Sequence, residues 1–412
     1  MRRCREQLCN LKRFKDKAFA VTFNSYLCHI RIFFMKKLLS VLFIATMVLV
    51  SCKNENQSHT TAIPLTQNSI KHAKGLQLYK YNGFSIVKVT QPWPGATEAF
   101  TYVLVQKNVI LPDSLKQYTA VNVPIKRLVA TSTTHIPSLE MLGVENTLVG
   151  FPGTNYISSD KTRALVDAKK VREAGANESL NTEVVLDLAP DVVVTFGVDG
   201  TNKTLNTLQS AGLKVLYNSD WTEQSPLGKA EWIKLFGALY NLDDKAAQLF
   251  NDIEKNYNEA KKLAQGVTKK PTVMGGAMLN DQWLLPQGES WAAQFYNDAG
   301  ANYLWADSKG TGSLSLSFEN VLDKAENADF WIGPSQFISL KQMDEANPHY
   351  KQFASFQKKK VYSYSVKTGK TGGLIFYEQA PNRPDLVLTD LVYIFHPELL
   401  PGYTLHFFEK LQ

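Results

Sequence analysis

Apolar and polar residues alternate with a period of two between residues 76 and 125, in the runs "LQLYKY", "FSIVKVT", "FTYVLVQK" and "YTAVNVPI". The first two runs flank Asn82-Gly83, a dipeptide typical of tight β-hairpin turns. The pattern predicts a small antiparallel β-segment over residues 76–125, lying ahead of the main body or packed against it.

From residue 126 the pattern changes to apolar strands that alternate with helices. "IKRLVATS" predicts a strand and "TTHIPSLEMLG" a short helix, and the alternation continues through "TLVGFPG", "NTEVVLDLAPDVVVTFG" and "NKTLNTLQSAGLKVLYN". Alternating strands and helices are typical of a parallel sheet. The β-branched run from Val192 to Thr195 suits a central strand that is buried on both faces. We therefore expect a first α/β lobe at about residues 126–225.

Linking helices are expected at about residues 226–265, and one of them is long. The run "LDDKAAQLFNDIEKNYNEAKKLAQG" predicts an amphipathic helix from about Asp243 to Ala264, because its apolar residues recur at spacings of three and four: Ala246, Phe250, Ile253, Tyr257 and Ala260. A second strand–helix set, beginning at "KPTVMGGAML", predicts another lobe at about residues 270–400. The expected fold class is α/β, with two Rossmann-like lobes joined by one long backbone helix and preceded by the β-segment.

Charge and cysteine content narrow the class of protein. Ten of the 45 Lys and Arg residues and two of the 38 Asp and Glu residues lie in the first 51 positions, so the remainder carries 35 basic against 36 acidic residues. A near-neutral body gives no support to nucleic-acid binding, which needs clustered basic residues. The four cysteines are Cys4, Cys9, Cys28 and Cys52, so no disulfide can form within the body of the chain.

Residues 35–51 have the pattern of a secretory signal peptide. Met35-Lys36-Lys37 is basic, and the 14 residues that follow are apolar or small. That run would span about 21 Å as a helix, short of the roughly 30 Å hydrocarbon core of a membrane. We expect translation to begin at Met35, so that residues 1–34 are not translated, and we expect residues 52–75, which are polar and without periodicity, to form a flexible tether.

The stretch Leu49-Val50-Ser51-Cys52 resembles the lipobox of bacterial lipoproteins. The resemblance implies cleavage before Cys52 and attachment of lipid to that cysteine. Two or more acyl chains would hold the protein stably on a membrane. We therefore expect a location in the cell envelope, anchored on the extracytoplasmic side of a membrane.

Over roughly residues 125–400 the chain resembles the iron-complex and vitamin B12 family of substrate-binding proteins for ABC importers. The resemblance rests on the order of "IKRLVATSTTHIPSLEMLGVENTLVG", "TEVVLDLAPDVVV", "LQSAGLKVLY", "SWAAQFYNDAGANYLWAD" and "SFENVLDKAENADFWIG" around one long helix. It implies a ligand in a shallow cleft between two lobes and delivery of that ligand to a permease. The implied ligand is a metal chelate, an iron–siderophore first, with cobalamin or haem as the alternatives.

Ligands of open α/β sheets lie beyond the carboxyl ends of the strands. The loop that holds Thr133, Thr134 and His135 offers hydroxyls and backbone N–H groups to a ligand, although Ser and Thr equally suit an ordinary helix N-cap. Other candidates are Tyr156, Phe196, Trp221 and Trp283, whose flat rings suit a large, π-rich ligand, with core packing as the alternative for the two tryptophans. Arg383 would bind a ligand carboxylate or cap a turn.

A single histidine such as His135 is a poor metal site, because protein metal sites need several converging ligands. We expect no resident metal and no cofactor. The resemblance also implies that an acidic residue on each lobe docks to the permease; the candidates are Asp199 on lobe one and Asp344 or Glu345 on lobe two, with an ordinary surface carboxylate as the alternative for each.

Two motifs that suggest an enzyme lack a required residue. A phosphate-binding loop that ends at Gly369-Lys370-Thr371 needs glycine at position 364, where Tyr364 stands. "GESWA" at 288–292 lacks the last glycine of a nucleophile elbow. The sequence therefore favours a binding protein, with a non-transport surface protein or an enzyme on the same fold as the second alternative.

Overall fold

The computed structural model of the protein describes residues 66–176 and 179–412. A four-stranded sheet comes first, with β1 (Leu76–Lys80), β2 (Phe84–Val89), β3 (Phe100–Gln106) and β4 (Thr119–Val123) side by side in that order. β1 and β2 form the hairpin predicted at Asn82-Gly83, where Gly83 has a φ of 81°. β3 and β4 pair in parallel, so the sheet is mixed rather than antiparallel. Residues 107–118 give the chain the dozen residues that a parallel crossover requires.

The two faces of this sheet carry different side chains, as a period of two demands. Val87 and Leu104 enter the main hydrophobic core, which they share with lobe one. Ile86 and Val103 point the other way, into a small separate cluster with Leu115. The β-segment is therefore packed against the main body instead of preceding it as a separate unit.

Residues 66–75 are held on the body, so the predicted tether is shorter than residues 52–75. The buried Glu231 carboxylate accepts hydrogen bonds from the backbone N–H groups of residues 71, 72 and 73 at 2.6–3.0 Å. The Glu223 carboxylate accepts those of residues 74 and 75 at 3.0 and 2.8 Å. The predicted signal peptide and Cys52 lie outside the described residues. Within the described part of the chain, the helices are too short or too polar to cross a membrane.

Lobe one is an α/β unit around a five-stranded parallel sheet. Its elements are β5 (Leu128–Ala130), α1 (His135–Leu142), β6 (Leu148–Phe151), α2 (Asp160–Asp167), β7 (Arg172–Glu173), β8 (Gly175–Ala176), β9 (Ser179–Leu180), α3 (Thr182–Leu188), β10 (Val192–Thr195), α4 (Lys203–Ser210) and β11 (Val215–Tyr217). The sheet has the order β11-β10-β5-β6-β7, and the central β10 is fully buried as predicted. β8 and β9 form a separate short hairpin.

Three helices link the lobes: α5 (Pro226–Glu231), α6 (Ile233–Leu239) and α7 (Asp243–Gln265). The long helix α7 has 23 residues, which corresponds to about 34 Å. All five apolar residues that predicted it are buried, together with Ala264, so the prediction of a long backbone helix is confirmed. α7 packs against α6 and against the last helix of lobe two, and so supports both lobes.

Lobe two repeats the α/β pattern and extends past residue 400, since Phe407, Phe408 and Leu411 are buried. Its elements are β12 (Thr272–Gly275), β13 (Ala277–Leu279), β14 (Gln282–Pro286), α8 (Trp291–Asp298), β15 (Asn302–Tyr303), β16 (Ser313–Leu316), α9 (Phe318–Ala325), β17 (Phe330–Ile332), α10 (Leu340–Ala346), α11 (Ala354–Gln357), β18 (Val361–Ser363), α12 (Ile375–Gln379), α13 (Pro384–Phe395) and β19 (Glu409–Lys410). The main sheet has the order β15-β12-β17-β18-β19, with only β19 antiparallel. β13, β14 and β16 form a smaller antiparallel sheet.

We predict that Glu231→Ala lowers the free energy of unfolding by about 3–5 kcal/mol, because it leaves three backbone N–H groups and the Lys234 ammonium without their buried partner. Urea unfolding measures the change, and limited proteolysis should show faster cleavage within residues 66–75. Glu259→Ala, at an exposed position of α7, is the control and should change the value by no more than about 0.5 kcal/mol. Equal stability of the two variants would contradict the prediction.

Candidate functional site

The carboxyl ends of both parallel sheets face one cleft. In lobe one the strand order reverses between β5 and β10, and in lobe two between β12 and β17. Such reversal points open a crevice at the strand ends, because the two flanking loops run in opposite directions. At the lobe-one point Thr131 Oγ1 donates to Thr195 Oγ1 at 3.1 Å, which holds the two strand ends together.

A cavity of 540 Å³ lies between the lobes at these strand ends. Lobe one contributes the loops after β5, β6 and β10, and lobe two contributes the segments after β17 and β18. Its lining residues are Thr131, Ser132, Thr133, Phe151, Pro152, Tyr156 and Phe196 from lobe one, with Gln336, Ser365, Gly372, Gly373, Leu374 and Tyr377 from lobe two. We call this cavity the main cleft.

The main cleft combines aromatic rings with neutral hydroxyl groups. Tyr156 and Tyr377 are 72% and 54% exposed, so both rings are available to a ligand. The Tyr377 hydroxyl lies 3.1 Å from that of Tyr364, whose ring stacks on Phe376 at 4.4 Å. This support fixes one aromatic wall, and flat apolar ligands pack well on such a wall.

Both sides of the main cleft are held by polar contacts. The Glu173 carboxylate accepts from the N–H groups of Gly153 and Thr154 at 2.7 and 2.8 Å, and hydrogen bonding of this kind holds the pKa of that carboxyl below its usual value despite partial burial. Across the cleft, the Thr371 hydroxyl donates to the carbonyl of Asn155 at 2.7 Å. A Cβ on Gly373 would lie 2.5 Å from the carbonyl oxygen of Tyr156, so glycine is needed for this close approach of the lobes.

Three of the predicted ligand residues line the main cleft, namely Thr133, Tyr156 and Phe196. Trp221 is 41% exposed and lines a neighbouring cavity. Thr134 lies behind the loop, where its hydroxyl is 2.9 Å from that of Ser132 and its carbonyl accepts from Asn382 at 2.7 Å.

His135 does not reach the cleft. As the first residue of α1 it turns into the core, fully buried, with its ring 5.7 Å from that of Phe236. Neither ring nitrogen has a hydrogen-bond partner among the described residues, and burial lowers the pKa of the imidazole to about 3. The side chain is therefore a neutral core residue instead of a ligand contact.

Trp283 and Arg383 also lie outside the main cleft. Trp283 is fully buried in lobe two, where it donates to the carbonyl of Gly275 at 2.9 Å and packs 5.2 Å from Trp331. Arg383 forms a two-pronged pair with Asp385 at 2.9 and 2.8 Å, at the start of α13. This position fits the turn-capping alternative for Arg383 better than a role in ligand binding.

The predicted docking carboxylates lie on both lobes. Asp199 is exposed in the loop after β10 and accepts from the N–H and hydroxyl of Thr201 at 2.9 and 2.6 Å. On α10, Asp344 pairs with Lys351 at 2.7 Å, whereas Glu345 is 65% exposed. No group of three His, Cys, Asp or Glu side chains in residues 66–176 and 179–412 could hold a metal ion.

Four lining residues of lobe two were missed: Gly372, Gly373, Leu374 and Tyr377. Gln336 does lie in a loop that follows a predicted strand, so the strand-end rule includes it. Of the four missed residues, Gly372 and Gly373 end the "TGKTGG" run, and Leu374 and Tyr377 follow it. This run was excluded as a phosphate-binding loop and serves here as the contact between lobes. Its glycine content was the available signal, because paired glycines mark places where backbones approach closely.

Two α/β lobes around a cleft, supported by one long helix, are the architecture of a bilobal binding protein. The chain belongs to the periplasmic binding protein family, which is matched over residues 128–367. This membership confirms the resemblance drawn from the order of the sequence motifs.

Individual relatives extend the comparison. The chain is 26% identical to an uncharacterized lipoprotein of Methanocaldococcus jannaschii over 91% of this chain and 97% of that protein. Among solved structures, a periplasmic heme binding protein from Pseudomonas aeruginosa matches 70% of this chain and 98% of its own with a TM-score of 0.53 at 18% identity. A possible iron-binding protein from Staphylococcus epidermidis matches 66% of this chain and 99% of its own with a TM-score of 0.52, also at 18% identity. These structural similarities show that the chain shares the fold of those two proteins.

Glu378 of α12 connects the lobes beside the main cleft. Its carboxylate accepts from the backbone N–H groups of Ser158 and Ser159 in lobe one at 2.6 and 3.0 Å. Burial raises the pKa of this carboxyl to about 7, and the nearby Glu140 acts in the same direction against the two N–H donors. The folded protein therefore binds a proton here between about pH 4.5 and 7 that the unfolded chain has released.

The free energy of unfolding should consequently fall as the pH rises through this window, by about 3 kcal/mol from this group. We predict that Glu378→Gln removes that part of the pH dependence, because the amide cannot ionise. Urea unfolding at several pH values between 4.5 and 8 measures the difference. Glu259→Gln, at an exposed position, should keep the slope of the unmodified protein. If Glu378→Gln kept the pH dependence of the unmodified protein, Glu378 would not be the group that binds this proton.

Proposed function

We propose that the protein is a lipid-anchored receptor that captures a chelated iron compound, an iron–siderophore, and delivers it to an ABC import permease. The observation that supports this proposal is the main cleft. It is large enough for a small chelate at 540 Å³, and its walls combine exposed tyrosine rings with neutral hydroxyls. Ligand sites of 300–1,000 Å³ with apolar walls and a few polar groups are typical of small-molecule binding proteins.

The polar groups of the main cleft suit a ligand that brings its own metal coordination. Thr131, Ser132, Thr133 and Ser365 offer hydroxyls, and none of the cleft-lining residues is a histidine, cysteine or carboxylate. Bare divalent metals need several such ligands at once. A metal held in a chelate needs only contacts to the outside of the chelator, which rings and hydroxyls provide.

Haem and cobalamin contain nearly flat, metal-bearing macrocycles that the same rings would accept. The Pseudomonas aeruginosa relative in fold is described as a heme binding protein, which makes haem a specific alternative for this cleft. A titration that includes each class separates these possibilities.

The first test is a melting titration of residues 66–412 against a ferric trihydroxamate, a ferric tricatecholate, haemin, cyanocobalamin and zinc chloride. One ferric chelate should raise the melting temperature saturably, because a ligand that binds only the folded state stabilises it by RT ln(1 + [L]/Kd), about 2.7 kcal/mol at a hundredfold excess over Kd. Tyr377→Ala should weaken binding of that chelate by about tenfold or more, since it removes an exposed aromatic wall.

Tyr118→Ala is the matched control, because Tyr118 is 38% exposed in the crossover just before β4 and does not line the main cleft. It should bind as the unmodified protein does. Stabilisation by haemin or cyanocobalamin alone would replace the siderophore with that ligand. Stabilisation by zinc alone would contradict the chelate proposal altogether.

Anchoring and delivery are the second part of the proposal. The lipobox-like stretch before Cys52 supports a lipid anchor, and the Methanocaldococcus jannaschii relative is named a lipoprotein. For permease docking, Asp199 on lobe one and Glu345 on lobe two are the better exposed carboxylates. Glu345 has a long ion pair with Lys341 at 3.6 Å, whereas Asp344 is less exposed and pairs with Lys351 at 2.7 Å.

We predict that Cys52→Ala and the double variant Asp199→Lys/Glu345→Lys both lower uptake of the bound chelate by cells, for different reasons. Cys52→Ala should move the protein from the membrane fraction to the soluble fraction, because it removes the lipid attachment site. The charge-reversed variant should stay on the membrane and keep its affinity for the chelate. Glu259→Lys, a charge reversal at an exposed position of α7, is the control and should change neither the location of the protein nor the uptake. Membrane retention of Cys52→Ala would contradict the anchor, and normal uptake by the double variant would contradict the docking residues.

A further inference from the structure

A second cavity lies beside the main cleft, and the N-terminal sheet forms one of its walls. This cavity measures 690 Å³. Its three walls are the loop of residues 91–96 between β2 and β3, residues 221–224 after β11 together with Lys229 of α5, and Trp291 with residues 311–312 of lobe two. We call it the side cavity. The region matched by the family begins only at residue 128, so the 91–96 wall lies outside the family fold.

The loop of residues 91–96 is fixed on the strand ends of lobe one. Ser219 Oγ donates to the carbonyl of Pro92 at 3.1 Å. The Trp93 ring packs edge-on at 5.7 Å from Tyr217, the last residue of β11. A Cβ on Gly197 would lie 2.7 Å from the Trp93 ring, so the glycine after β10 leaves space for the indole. The loop therefore covers the end of the sheet where ligands of parallel sheets bind.

The chemistry of the side cavity combines indole rings with one buried ammonium group. Trp93, Trp221 and Trp291 line it. Lys229 is 8% exposed, and its ammonium donates to the carbonyls of Asp220 and Trp221 at 3.1 and 2.9 Å. The ammonium also lies 5.5 Å from the centre of the Trp291 ring, and no third nitrogen or oxygen acceptor lies within hydrogen-bond distance among the described residues.

An anion is the group that would complete this arrangement. Burial lowers the pKa of the Lys229 ammonium, and the Asp220 and Glu223 carboxylates oppose that effect. Glu223 lines the side cavity too, but its oxygens already accept from the Lys74 and Gly75 N–H groups and from the Trp232 indole at 2.8–3.1 Å. An anionic ligand group would favour the charged form of Lys229 and accept its remaining N–H.

A third cavity shares lining residues with both the side cavity and the main cleft. Trp291 also lines a third, apolar cavity of 380 Å³ at the strand reversal of lobe two. That third cavity shares Gln336 and Tyr377 with the main cleft. The third cavity therefore lies between the other two.

We propose that the side cavity is a second subsite, which receives an anionic group, such as a carboxylate, carried on an arm or ring of the same chelate that occupies the main cleft. Lys229 binds the anion and the indoles of Trp221 and Trp291 pack on the arm. The N-terminal sheet, through its 91–96 loop, is then part of the ligand specificity of this receptor. The inference rests on the proposed function.

Matched pairs of probes test the subsite. One pair is the N-acetyl and N-succinyl derivatives of ferrioxamine B, which carry the same ferric trihydroxamate and differ in a terminal carboxylate. The other is haemin dimethyl ester and haemin. Calorimetry on residues 66–412 gives the ratio of the two Kd values within each pair. The unmodified protein should favour the anionic member of at least one pair by about tenfold or more, the range of a charge-assisted hydrogen bond.

Lys229→Met should bring that ratio close to one while leaving the affinity for the neutral member within about twofold. Trp221→Ala should lower the ratio as well, and its position at 41% exposure spares the fold. Lys245→Met is the control, because Lys245 also donates to a backbone carbonyl, that of Leu142 at 2.8 Å, away from the cavities. It should keep the ratio of the unmodified protein.

The outcomes separate the two proposals. If the unmodified protein binds a neutral chelate and the ratio of the two Kd values is near one, the subsite is overturned and the receptor function is not. The same holds if both variants keep the ratio of the unmodified protein. Absence of binding to all four probes overturns the receptor function for these ligand classes, and the subsite with it. A loss of affinity in Lys229→Met that is equal for both members of a pair also overturns the subsite, because it indicates a general disturbance.

Discussion

The carboxylates of Glu223 and Glu231 are the constraint on which the N-terminal part of the molecule depends. Together they accept the backbone N–H groups of five successive residues, 71 to 75. A buried carboxylate is costly unless its oxygens are fully hydrogen-bonded, and a free backbone N–H is costly as well, so each group satisfies the other. The consequence is a fixed start for β1, and with it a fixed position for the whole N-terminal sheet on lobe one.

That fixed position determines what the sheet adds to the fold. Because one face of the sheet enters the common core, the loop between β2 and β3 is carried to the ends of β10 and β11. Parallel sheets leave their carboxyl ends open for ligands, and additions at those ends alter the binding surface without altering the sheet. The N-terminal sheet lies at such a position. Its buried face packs on lobe one, and this packing carries its β2–β3 loop to the strand ends.

Much of the architecture could be predicted from the sequence because it follows from local pattern. The period of α7, the hairpin at Asn82-Gly83 and the buried run of β10 depend only on neighbouring residues. Thr133, Tyr156 and Phe196 were predicted in the main cleft because loops after parallel strands must meet there. The parallel pairing of β3 and β4 was not predicted, since strand partners are chosen by tertiary packing.

Side-chain direction was the other unpredictable quantity. Thr133 and His135 are two positions apart, yet the chain enters α1 between them and turns the histidine into the core. Trp283 faces the core because alternation along β14 puts every second side chain on the covered face. Tyr377 belongs to a helix that no strand-end rule includes, and only the approach of the two lobes brings it to the main cleft.

The docking of residues 66–75 also sets a length. If the chain were free from Cys52 to β1, its fully extended reach would be about 80 Å at roughly 3.5 Å per residue. Because residues 71–75 are bound to Glu223 and Glu231, and residue 68 already pairs with Tyr79 on β1, only about 15 residues remain, which reach no further than about 55 Å. For a chain anchored at Cys52, this length limits how far residue 68 can lie from the bilayer, and such a limit raises the local concentration of the cleft at any membrane partner.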